Sequence, residues 1–189
     1  MTSCLRGRVS CGKQLVLPFE GGSKDVNDYH QQHDCPKGVG RSSPLVEKVR
    51  HSTVPIGELI GFRVDEITAG RAVASLRSGP QHANPMGTLH GGVLCDLADA
   101  AMGMAFVSTL TADESFTTLG LSINFFRPVW QAALRAEARV VNRGKNLGYI
   151  ECEVLDQDDR LIAKATSTCL LLRGDQARRV EGEGSRPAL

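Results

Sequence analysis

The chain lacks an excess of charge of either sign: 22 Lys and Arg against 21 Asp and Glu leave a formal net charge of +1 over 189 residues. Such a balance exerts no bulk attraction on nucleic acid or on an anionic membrane, and neither is expected as a partner. No apolar run reaches transmembrane length, and no Asn-X-Ser/Thr triplet occurs. The six cysteines, Cys4, Cys11, Cys35, Cys95, Cys152 and Cys169, show no framework spacing. Three of them fall inside expected helix or strand, and no secretory hydrophobic region precedes them. They read as reduced thiols of a cytosol-like compartment, so the expected localisation is cytoplasmic. The length gives room for one core-forming domain and a tail.

What is present is concentrated in one stretch, His82-Ala83-Asn84-Pro85-Met86-Gly87-Thr88-Leu89-His90-Gly91-Gly92, followed by an apolar run. Asn84-Pro85 is a turn dipeptide, and Gly87 keeps the backbone irregular up to Thr88. From Gly92 to about Val107 the residues suit a helix whose only charges are Asp96 and Asp99. A helix apolar on nearly all sides is expected to be buried, wrapped by a sheet. Gly92, Asp96, Asp99 and Gly103 follow at i+4, i+3 and i+4 and form one stripe. Leu94, Leu97, Ala98, Ala101, Met104 and Ala105 fall opposite and read as core. The two glycines let a ligand atom approach the free N–H groups of the first turn, where the helix dipole favours negative charge. That is a place for an oxyanion or a polarised carbonyl.

Asn84, then His90-Gly91-Gly92, then Asp99 nine residues after the histidine, resembles the signature of hotdog-fold acyl-CoA thioesterases of the PaaI-like group. The resemblance runs from about Val54-Pro55-Ile56-Gly57 to Leu172. It implies an α+β hotdog fold, an antiparallel sheet around one long helix, and hydrolysis of an acyl-CoA without metal or redox cofactor. It also implies a site at a dimer interface, with the asparagine and His-Gly-Gly from one subunit and the aspartate from the other. In it, Asn84 helps place water or the carboxylate, the His90 side chain positions, and the hydroxyl of Thr118 assists from the aspartate side. Some relatives carry serine where this chain has Thr118.

Along the chain, residues 1–43 carry glycine, serine, cysteine and mixed charge without periodicity and are read as a disordered tail. The first nineteen contain Arg6, Arg8 and Lys13 and no acid, a composition like that of a transit peptide, but no amphipathic helix accompanies it. His30, His33 and Cys35 match no common metal spacing and read as loop. Residues 44–174 form the expected domain. Pro44 to about His51 is a short helix with Ser43 as cap. Ile60 to Ile67 and Arg71 to Arg77 are strands joined by a turn at Thr68-Ala69-Gly70. After the helix come four alternating segments, Thr117 to Phe126, Leu134 to Val141, Tyr149 to Val154 and Leu161 to Leu172, with turns at Asn142-Arg143-Gly144-Lys145 and Asp156-Gln157-Asp158-Asp159. Residues 175–189 are a second expected tail.

Thioester hydrolysis needs donors at the carbonyl oxygen and a group that activates water or attacks the carbon. The Gly91 N–H, with Gly92 beside it for binding, is the expected donor; Asp99 is the expected base or nucleophile. A lone carboxylate among Ala98, Ala100 and Ala101 is costly to bury, which favours a functional role, and desolvation there raises its pKa. Asp96 is its competitor on the same stripe. Eight residues of helix separate Gly91 from Asp99, about 12 Å at roughly 1.5 Å per residue, so one chain cannot bring both to one carbon. A homodimer, or a homotetramer built from dimers, follows. Arg143 and Lys145 are read first as a solvated turn and second as ligands of a CoA phosphate. The alternative function is a non-catalytic hotdog module that binds acyl-CoA and signals; it would not need Asp99. A hotdog hydratase would use histidine as its main base and a different sequence at the helix start.

Overall fold

The computed structural model describes residues 46–47 and 54–178. The expected 1–43 tail, with His30, His33 and Cys35, and nearly all of the expected 175–189 tail lie outside the described residues. So does most of the helix expected over Pro44 to His51, of which Val46 and Glu47 are described as helical.

A short helix, α1, spans Pro55–Ile60. It was not expected, and it corrects the strand start: Ile60 ends the helix, and β1 begins at Phe62. Pro55 supplies the preset φ that suits a first helical turn, and Gly61, at φ 87°, supplies the left-handed stop. β1 (Phe62–Thr68) and β2 (Arg71–Arg77) then form a hairpin. The long helix α2 spans Gly91–Val107. β3 (Glu114–Phe125), β4 (Ala133–Arg143), β5 (Leu147–Leu155) and β6 (Leu161–Arg173) follow. All pairings are antiparallel, in the order β1-β2-β4-β5-β6-β3. The expected α+β architecture is therefore present, with β1 and β3 at the edges. Residues 175–178, the start of the expected tail, make one further helical turn.

Alternation decides which face each strand buries. In β2 Ala72, Ala74 and Leu76 are buried and face Leu134, Ala136 and Ala138 of β4 in register. The many alanines let α2 approach the sheet closely. From the helix Leu97, Met102 and Phe106 are fully buried against it, each worth about 1.5–3 kcal/mol of burial. No helix among the described residues is long and apolar enough to cross a membrane.

Two features depart from a closed core. The helix is not buried all round: Asp96 and Asp99 are exposed in the single chain, and Gly92, Gly103 and Met104 are half-buried. Met104 is therefore only half-buried and packs at the margin of the core, whereas Met102 and Phe106 lie fully inside it. The edge strand β3 carries Leu119 and Phe125 at 59% and 51% exposure, with a register shift between Thr118 and Gly120. An edge with apolar side chains is a ready place for another chain to pair.

Candidate active site on the long helix

The loop before α2 is built by Asn84. Its Oδ1 accepts the N–H groups of Met86 (2.9 Å) and Thr88 (3.2 Å), and its Nδ2 donates to Thr88 Oγ1 at 2.8 Å. The side chain thus mimics backbone in an Asx turn, and Gly87 at φ 81° closes it. In the single chain these bonds occupy the Asn84 amide within its own turn.

His90 caps the helix. Its Nδ1 accepts the Gly92 N–H at 2.9 Å, which leaves the proton of a neutral ring on Nε2, at the exposed edge. The second glycine has a steric reason: a Cβ on residue 92 would stand 2.8 Å from His90 Nδ1. At Gly91 a Cβ would lie 3.0 Å from Cζ of Phe125, whose ring leans over the helix start. No described residue accepts the Gly91 N–H, so this donor at the positive end of the helix dipole is unspent.

His82 holds this loop from below and was not singled out from the sequence. It is buried, its Nδ1 accepts the Gly79 N–H at 3.0 Å, and its Nε2 donates to the Ile60 carbonyl at 2.7 Å. Its own carbonyl accepts the His90 N–H at 2.9 Å. The signal in the sequence was a histidine two residues before the turn asparagine; its partners, Ile60 and Gly79, lie in other segments.

Asp99 stands two turns along the helix. Desolvation by surrounding protein raises its pKa, and the Asp96 carboxylate adds to the rise. The Cys95 thiol is pushed up by burial and then by both carboxylates. Asp99 also acts on Cys169, whose thiol lies 4.0 Å from the Thr118 hydroxyl. The Asp99 charge is thus felt at Cys169, and Thr118 stands across from Cys169 on the neighbouring strand. Gly91, at about 12 Å along the helix from Asp99, does not meet it within one chain.

Arg143 and Lys145 lie at the far end. Phe106, near the C-terminus of α2, packs on Gly148 of the same hairpin, about 22 Å along the helix from Gly91. Arg143 is not a free turn cation. Its guanidinium binds the buried Glu114 carboxylate, which Arg173 also engages at 3.0 Å. Lys145 is exposed, and its carbonyl accepts from Arg173 at 2.6 Å. Of the residues expected to shape a pocket, Met102 and Phe106 are buried against the sheet, whereas Met104 and Phe116 are half-buried at the margin of the core. No group of His, Cys, Asp and Glu able to hold a metal occurs among the described residues.

Residues 86–163, from the turn before α2 to the start of β6, match the family profile of the thioesterase superfamily. A protein of Saccharolobus solfataricus with a provisional esterase designation is 30% identical over 62% of this chain and 78% of its own length. The 1,4-dihydroxy-2-naphthoyl-CoA hydrolase of Listeria monocytogenes is 26% identical over 59% of this chain and 90% of its own. Among solved structures, a mutant of the phenylacetic acid degradation protein PaaI from Thermus thermophilus superposes with a TM-score of 0.58 at 29% identity, covering 62% of this chain and 98% of that one. The order of strands, the capped glycine pair and these matches lead to one assignment: the chain belongs to the thioesterase superfamily, among its hotdog-fold, PaaI-like members.

Proposed function

We propose that this chain is an acyl-CoA thioesterase whose sites form between two copies. The observation that carries the reading is the pairing of an unspent Gly91 N–H at a helix start with a carboxylate, Asp99, that is exposed in the single chain but partly desolvated by its helix, on an open face of that helix. In the dimer, the Gly91 N–H of one protomer polarises the thioester carbonyl, worth roughly 10²–10³ in rate by analogy with other oxyanion donors. Asp99 of the other protomer takes a proton from water; its raised pKa suits a general base. The water oxygen bonds to the acyl carbon, the C–S bond breaks, and the proton passes to the departing CoA thiolate. His90 and Asn84 hold the donor loop, Gly92 leaves room beside it, and Thr118 assists from the Asp99 side. For CoA phosphates Lys145 is the available cation, because Arg143 is engaged by Glu114.

The open carboxylate face and the apolar β3 edge support the assembly, since both are surfaces that a second copy would cover. A panel of acyl-CoA thioesters, followed by release of free thiol, tests the reaction. Sedimentation tests the assembly: a dimer or tetramer is expected, and a fully active monomer would refute it. Tight acyl-CoA binding with no turnover would replace the enzyme by a sensing module.

A further inference from the structure

Beneath Thr118 lies a buried thiol that the proposed reaction does not use. Cys169 is 1% exposed on β6, directly across from Thr118 on β3. Its Sγ is 3.7 Å from the Ser167 hydroxyl on one side and 4.0 Å from the Thr118 hydroxyl on the other. Ser167 is itself 2% exposed, and Cys169 is the only partner of its hydroxyl among the described residues. A buried hydroxyl must spend its proton, and the sulfur is the acceptor in reach. With Ser167 donating to Cys169, the S–H is left to point onward to Thr118. Thr118 Oγ1 then accepts a hydrogen bond from the thiol, and its own O–H is turned away from Cys169. The register shift just after Thr118 fits this use, since an irregularity of this kind re-aims the side chains beside it.

We propose that Cys169 is a positioning residue of the thioesterase site: the chain Ser167–Cys169–Thr118 fixes the direction of the Thr118 hydroxyl. The proposal rests on the thioesterase reading above. Burial raises the Cys169 pKa, and the Asp99 charge adds to the rise against the lowering by Ser167 and Thr118. The sulfur therefore stays an S–H donor. At 1% exposure it is also out of reach of substrate, so it acts through Thr118 and not as a nucleophile.

The test combines spectroscopy with a double-mutant cycle. The infrared S–H band that disappears in Cys169→Ser belongs to this thiol. In Thr118→Val that band should move to higher frequency, as the acceptor is gone; an unmoved band overturns the proposal. In kinetics on the acyl-CoA that the parent hydrolyses, Cys169→Ala should lower kcat about fivefold, the worth of one hydrogen bond, with KM unchanged. Cys169→Ser, which can still donate, should restore most of the rate. In a Thr118→Val background, Cys169→Ala should cost nothing further. Equal losses in both backgrounds would make Cys169 a packing residue only and overturn the positioning role while leaving the thioesterase reading intact. A parent chain that hydrolyses no acyl-CoA overturns that reading and the positioning role with it.

Discussion

Replacing Gly148 by alanine offers the sharpest test of how the long helix is seated. A Cβ at this position in β5 would stand 2.1 Å from Cε2 of Phe106, 2.5 Å from Cζ and 2.9 Å from Cδ2. Carbon atoms in contact prefer about 3.5–4.0 Å, so the ring would have to retreat by about 1.5 Å. It has nowhere to go. Phe106 is fully buried, and its edge meets Phe116 with ring centroids 5.5 Å apart and planes at 83°. Overpacking of a dense core costs about 1–3 kcal/mol, and three violated ring atoms place this case near 3 kcal/mol. For a chain of this size that lowers Tm by roughly 6–12 °C. Urea unfolding and thermal melts at one fixed protein concentration measure it, because any association of the folded chain would add to apparent stability. Phe106→Leu should relieve the clash, so the double variant should be more stable than the sum of the two single losses by about 1 kcal/mol or more. An alanine variant within about 0.5 kcal/mol of the parent, or strict additivity, would refute this account of the seat.

Asp99→Asn should abolish turnover while acyl-CoA still binds, whereas Asp96→Asn should cost little; the reverse result would move the base to Asp96. Because desolvation raises the Asp99 pKa in the fold, its ionised form is penalised there, and its contribution to stability is lost as pH rises through the folded pKa. Asp99→Asn should therefore melt higher than the parent at neutral pH, and kcat/KM should rise with pH through an acid limb above the ordinary aspartate range. For Glu114, burial alone would raise the pKa, but the Thr111 N–H, Arg143 and Arg173 outweigh it and hold it low. Its stabilisation is present above the ordinary glutamate range and lost as pH falls. Glu114→Gln should cost about 2 kcal/mol at neutral pH, below the range for a fully buried pair because Arg173 is 41% exposed, and denaturant curves of variant and parent should converge in acid. Removal of residues 1–43, which carry no core pattern, should leave turnover within a few-fold in the free-thiol assay.

The main elements were legible because their signals are local. Alternation in Ala72 to Leu76 and in Leu134 to Ala138 marks strands whatever lies beside them, and His90-Gly91-Gly92 marks a helix start by its own chemistry. α1 was missed because Val54 to Ile60 carries no amphipathic period, only a proline and a stop glycine. The open face of α2 was marked by the stripe of Gly92, Asp96, Asp99 and Gly103, but its extent was not. A mostly apolar helix predicts burial, but one chain supplies a cover for only one side. Arg143 looked like a turn cation because Glu114 is 29 residues away in sequence and meets it only through the sheet order. The Thr118–Cys169 contact spans 51 residues and depends on a register shift that alternation cannot show.

The roughly 12 Å of helix between Gly91 and Asp99 has a consequence in genetics. If each site takes its donor from one chain and its carboxylate from the other, Gly91→Val and Asp99→Asn are both null alleles when alone. Expressed together in equal amounts, they assort so that half of the dimers are mixed. Each mixed dimer holds one site carrying both defects and one carrying neither. Two silent genes should thus return roughly a quarter of the parental activity, whereas a site contained in a single chain would return none.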